Sequence, residues 1–81
     1  MRIDIRINDE TIKADVKEAV AMDEDNEYIK FPDATAKKEF IEEVVESIIT
    51  KIEIYDEYFP SWKNVTDEMQ NLAGLYGYMV D

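Results

Sequence analysis

Hydrophobic residues along this chain keep several different rhythms, and each rhythm predicts an element. From Arg2 to Asn8 the pattern alternates, with Ile3, Ile5 and Ile7 on one side and Arg2, Asp4 and Arg6 on the other. A period of two marks a half-buried strand, and the spacing predicts one over 2–8. Asn8-Asp9-Glu10-Thr11 has the composition of a turn. The next stretch, 12–22, fits two templates. Ile12, Ala14 and Val16 alternate with Lys13, Asp15 and Lys17, whereas Ile12, Val16, Ala19 and Val20 share one face of a helix. We read it as a second strand, with a slip near Glu18 where a bulge would fit, and keep the helix as the alternative. Asp23-Glu24-Asp25-Asn26 is a polar turn. The residues 27–32 then read as a short third strand with Ile29 and Phe31 inward, ended by Pro32, which has no N–H for a ladder.

Ala34 to Ile54 carries the longest regular pattern. Phe40, Ile41, Val44, Val45, Ile48, Ile49 and Ile52 form a broad apolar stripe with a 3.6-residue period. The adjacent apolar pairs break the alternation a strand would need, so the prediction is a helix over 34–56. Asp33 is placed to cap it, its carboxylate accepting from the unpaired amides of the first turn. Pro60 restricts Phe59 to extended geometry and separates this helix from the next. Ser61 is the candidate cap of a second helix over 62–79, where Trp62, Val65, Met69, Leu72, Tyr76 and Met79 make a narrow seam for packing on another helix. Gly74 is an alternative stop, which would leave 75–80 as a last strand. The expected architecture is therefore one α+β domain, 1–81, with a three-stranded antiparallel sheet covered by two C-terminal helices.

Charge changes the picture more than any other feature. Twenty Asp and Glu against nine Lys and Arg leave a formal charge of −11 on 81 residues. A magnitude of about 2–8 is enough to keep a small domain soluble. Direct nucleic-acid binding is disfavoured, because it needs a basic surface that displaces counterions. Anionic membranes are disfavoured for the same reason, and no apolar run approaches the roughly 20 residues of a membrane span. The start Met1-Arg2-Ile3-Asp4 does not have the character of a signal peptide, so a cytoplasmic location is the expectation. With no Cys and no His, thiol and imidazole chemistry are absent.

Candidate sites are few. Read as a calcium loop from Asp23, the chain places Tyr28 where the turn glycine belongs and Ala34 where the bidentate Glu belongs, so the motif fails. Glu39, Glu42, Glu43 and Glu46 lie at i, i+3, i+4 and i+7 on one helix face. A carboxylate-bridged metal pair of that kind normally adds Glu-x-x-His motifs, and none exists. No nucleophile has a base to activate it, so we expect no catalytic residue, no metal and no cofactor. The same four carboxylates span about 10 Å of helix rise, over which one DNA strand presents roughly three phosphates. They read either as a solvated helix face or as a surface that imitates phosphate. Tyr55, Tyr58, Phe59 and Trp62 cluster near Pro60, with Asp56 and Glu57 among them. That group reads either as a cap on the inter-helix corner or as an aromatic hot spot in an acidic rim.

The expected function is a small binding protein whose partner is a basic protein of the kind that holds nucleic acid, such as a nucleic-acid-binding enzyme, with Glu39, Glu42, Glu43, Glu46, Asp56, Glu57, Tyr58 and Trp62 as the partner-binding residues. In size, acidity and composition the chain looks like the inhibitors carried by phages and mobile elements, anti-CRISPR and anti-restriction proteins among them. That likeness covers the whole chain and implies inhibition by phosphate mimicry, but it transfers no individual residue. The alternative is a structural module that forms a homodimer through the second helix or a sheet edge.

Overall fold

Ile12, Val16, Ala19 and Val20 all lie at 2 % exposure or less, and the stretch 12–22 is helical together with most of the two turns predicted on either side, 9–11 and 23–25. The computed structural model describes residues 9–80, and within them the order is α1 (Asp9–Asp25), α2 (Ala34–Ile54) and α3 (Trp62–Tyr76). The expected α+β architecture is therefore overturned: the described chain is a three-helix bundle. The predicted strand 12–22 is most of α1. Ala14, which would share the inward face of a strand with Ile12 and Val16, is exposed. Lys13, Ala14, Lys17, Glu18, Ala21 and Met22 fill most of the middle turns of α1, and these residue types favour helix. The predicted strand 27–32 is reduced to one antiparallel bridge, Ile29 to Met79. Ile29 is buried and Phe31 half-buried, as expected of its inward residues, but among the described residues no strand lies beside it to make a sheet. The predicted strand 2–8 lies outside the described residues.

Short connections make α1 and α3 each run antiparallel to α2, and all three helices pack on one another. The core is Ile12, Val16, Ala19 and Val20 from α1, Phe40, Ile41, Val44, Val45 and Ile48 from α2, and Val65, Met69 and Ala73 from α3, with Ile29 closing one end. Of the α3 seam offered above as a dimer surface, Val65 and Met69 are buried and Leu72 is half-buried, whereas Trp62, Tyr76 and Met79 stay exposed.

Caps set the boundaries. Asp33 accepts from the Ala36 amide at 2.7 Å and Ser61 from the Asn64 amide at 3.2 Å, so both capping residues serve as the sequence suggests. The helix ends are less obvious. α3 ends at Tyr76, short of the expected 79 and beyond the alternative stop at Gly74: the cap Gly77 has φ of 77°, and the Tyr78 N–H reaches back to the Ala73 carbonyl at 2.8 Å. α1 ends the same way, with Tyr28 N–H on the Asp23 carbonyl at 2.8 Å, yet a glutamate, Glu27, takes the left-handed position at φ 59°. The two exits then meet. Lys30 N–H donates to the Tyr78 carbonyl and Val80 N–H to the Tyr28 carbonyl, both at 2.9 Å. Because Glu27 is exposed and only its backbone is constrained, Glu27→Gly should stabilise the fold by about 0.5–1 kcal/mol. Thermal unfolding should show a midpoint several degrees higher, about 4–8 °C per kcal/mol for a chain of this size. An unchanged midpoint would mean that the turn is not held in this geometry.

Candidate partner-binding site

Helical geometry brings Glu39, Glu42, Glu43 and Glu46 onto the outer face of α2, and all four are exposed. No described cation lies within ion-pair distance of any of them; the described salt bridges are Lys37–Glu24, Lys51–Glu68 and Lys63–Asp67. Glu39 with Glu43, and Glu42 with Glu46, are like-charged i,i+4 pairs, each of which costs an isolated helix about 0.2–0.5 kcal/mol.

What borders this ridge differs on its two flanks. Toward α1, Lys13, Lys17, Lys37 and Lys38 gather around Ala34 and Ile41, with Glu42 at their margin. Toward α3, a groove of about 230 Å³ separates the ridge from the C-terminal segment, with Phe40, Tyr76 and Tyr78 among its walls. Phe40 is buried at 2 % exposure, whereas Tyr76 is 49 % exposed. The Tyr76 and Tyr78 rings stack with centroids 5.8 Å apart, and both meet Phe40 edge-on at 6.1 and 5.7 Å. The Tyr76 hydroxyl donates to Glu43 Oε2 at 3.3 Å. Loss of solvent around the phenol and, next, the Glu43 carboxylate hold its pKa above the usual range, so it is a neutral donor at physiological pH.

The second predicted cluster divides. Asp56 and Glu57 are exposed in the α2–α3 connection and Trp62 is 44 % exposed at the start of α3. Tyr58 instead turns inward, half-buried against the core. Its ring lies 5.9 Å from Lys51 Nζ, and its hydroxyl is buried without a partner. The residues left outward are Ile54, Tyr55 and Phe59, at 65 %, 58 % and 65 % exposure. Tyr58 thus closes the inter-helix corner, and its neighbours form an exposed apolar patch among acidic residues.

Behind Tyr58 lies a polar group that sequence reasoning missed. Glu68, 7 % exposed, accepts from Ser47 Oγ and from Lys51 Nζ, both at 2.5 Å. The one available signal was a Glu at position 68 flanked by the seam residues Val65, Met69 and Leu72, too close to the packed side of α3 to face water freely. The hydrogen bond to Glu68 raises the Lys51 pKa from 10.5, and burial, followed by the Glu68 charge, raises that of Tyr58 from 10.0. Both groups hold their protons more tightly in the folded chain than in the unfolded one. The stability they contribute is present below about pH 10 and is lost as pH rises through the folded values. Melting temperatures measured from about pH 8 to 11 should therefore decline at the alkaline end. Glu68→Gln should make that decline shallower, since the neutral amide no longer favours the ammonium. An identical alkaline decline in the variant would exclude Glu68 as its source.

Among the described residues, no group of three or more acidic side chains is arranged to hold a metal ion, and no helix is long and apolar enough to cross a membrane. Comparison with protein-family models, with curated proteins and with solved structures finds no match for this chain.

Proposed function

We propose that this protein is a non-catalytic inhibitor, of the kind phages and mobile elements carry, whose acidic ridge on α2 occupies a basic nucleic-acid-binding surface of another protein. The observation that carries this reading is the segregation of charge around α2. Four carboxylates share one exposed face without a described counter-ion, although four of the nine cations stand on the neighbouring seam with α1. A face under selection for stability alone would interleave the two signs and remove the i,i+4 repulsion. The spacing of the carboxylates supports a target that otherwise holds phosphate, because about 10 Å of helix carries a charge density comparable to that of one DNA strand.

The corner patch of Ile54, Tyr55, Phe59 and Trp62 supports a second contact with the same partner. Its acidic neighbours Glu53, Asp56 and Glu57 would repel an identical copy and attract a basic surface. This weighs against the homodimer reading, as does the burial of Val65, Met69 and Ala73 within the chain.

The test is capture of partners on the immobilised protein at low salt, followed by elution with duplex DNA. The expected result is a basic, nucleic-acid-binding protein that DNA displaces and that raised salt releases. Recovery only of proteins indifferent to both DNA and salt would sink the proposal.

A further inference from the structure

The groove beside the acidic ridge has a chemistry of its own. Its floor is the buried ring of Phe40, one wall is the stacked pair Tyr76 and Tyr78, and the other carries Glu39, Glu42, Glu43 and Glu46. At about 230 Å³ it is smaller than the roughly 300–1,000 Å³ pockets that take drug-sized ligands, and it suits a single side chain. Tyr76 is half exposed, so part of an aromatic surface stays open beside carboxylates that have no described counter-ion.

From this arrangement we infer that the groove is a docking site for an arginine side chain presented by a basic protein partner. The occupant follows from charge complementarity and from the shape of the walls. A guanidinium is planar, weakly hydrated and always charged, so it can lie against a tyrosine ring while its N–H fork meets carboxylate oxygens. An ammonium would satisfy the carboxylates as a strongly hydrated point charge and gain less from the ring. A drug-like apolar ligand would leave the carboxylates desolvated without partners. The Tyr76–Glu43 hydrogen bond prepares the site, because it holds the phenol and one carboxylate beside each other before anything binds. The inference rests on the proposed function and sharpens it: the partner is held by arginine in particular, the side chain that nucleic-acid-binding surfaces also use to read bases and grip phosphate.

The experiment is a calorimetric titration of the full chain with capped hexa-arginine and capped hexa-lysine peptides at an ionic strength of about 0.15 M. The arginine peptide should bind more tightly. Tyr76→Ala and Tyr76→Leu should weaken the arginine peptide by about 5- to 30-fold, toward the lysine value, while Tyr76→Phe should retain most of the preference. The leucine variant keeps apolar bulk at the end of α3, so a loss seen in it as well as in the alanine variant reports the ring and not unfolding. Equal binding of both peptides, or a preference that survives Tyr76→Leu, would overturn the groove as an arginine site. It would leave the acidic ridge standing, provided that Glu39→Lys with Glu46→Lys still abolishes binding of both peptides. If that charge-reversed variant binds them as the parent does, the parent reading fails as well.

Discussion

Ile48→Ala is expected to lower the unfolding free energy by about 2–5 kcal/mol, the combined effect of lost transfer energy and a residual cavity. Ile48 has no exposed surface and sits at the middle of α2, where the packed faces of all three helices meet. A domain of this size has a total stability on the order of 5–10 kcal/mol, so one truncation removes a large part of it. The melting temperature should fall by roughly 10–30 °C. Ile54→Ala is the internal control. That isoleucine belongs to the same helix but is 65 % exposed, and its truncation should change stability by no more than about 0.5 kcal/mol. Denaturant or thermal unfolding of the two variants side by side decides the matter. Equal, small losses would mean that the α2 stripe is not the core of the bundle.

Reversing charge at Glu39 and Glu46 together should separate binding from folding. Both residues are exposed, have no described counter-ion and border the groove, while Glu42 is left alone because it adjoins the lysine seam. Glu39→Lys and Glu46→Lys each replace a member of a repelling i,i+4 pair by an attracting one, so the double variant should be as stable as the parent or slightly more so. Binding should behave in the opposite way. Steered association gains about 10- to 1,000-fold from complementary fields, and most of that gain should vanish at low salt in the double variant. In the parent, association should slow steeply as salt rises, since the screening length falls from about 30 Å at 0.01 M to about 8 Å at 0.15 M. Stopped-flow or surface-based kinetics with the captured partner provide the measurement. Trp62→Ala, in the corner patch, should instead act on the dissociation rate. A folded double variant that binds and inhibits like the parent would reduce the ridge to ordinary solvated surface, and self-assembly would become the better explanation.

The site was only half legible along the chain. Glu39, Glu42, Glu43 and Glu46 could be placed on one face from spacing alone, because a helix puts i, i+3, i+4 and i+7 together whatever surrounds it. The aromatic wall could not. Tyr76 meets Glu43 across 33 residues of sequence because α3 packs beside α2, and the turn at Gly77 then brings Tyr78 back to stack on it. The lysine seam was hidden for the same reason, since Lys13 and Lys17 reach Lys37 and Lys38 through helix packing. Tyr58 and Trp62, neighbours in the sequence cluster, were separated by the corner itself, one turned toward Lys51 and the core and the other left outward.

By itself, the sequence determined the elements whose evidence is local. The broad period of α2, its Asp33 cap, the break at Pro60 and the Ser61 cap of α3 depend on neighbours within a few residues, and all appear where the spacing puts them. The stretch 12–22 was different. Ile12, Ala14, Val16 and Ile12, Val16, Ala19, Val20 are two faces of the same residues, one with period two and one with period 3.6. Local pattern could not choose between them. Tertiary structure chose because the stripe of α2 is broader than α3 alone can cover, and only as a helix does the first stretch lay four fully buried side chains against it. Once 12–22 is helical, the described residues offer 27–32 no strand to pair with, and pairing there contracts to a single bridge between the segments that follow α1 and α3. Fold class was thus decided by which surface needed burying, a quantity that depends on all three helices at once.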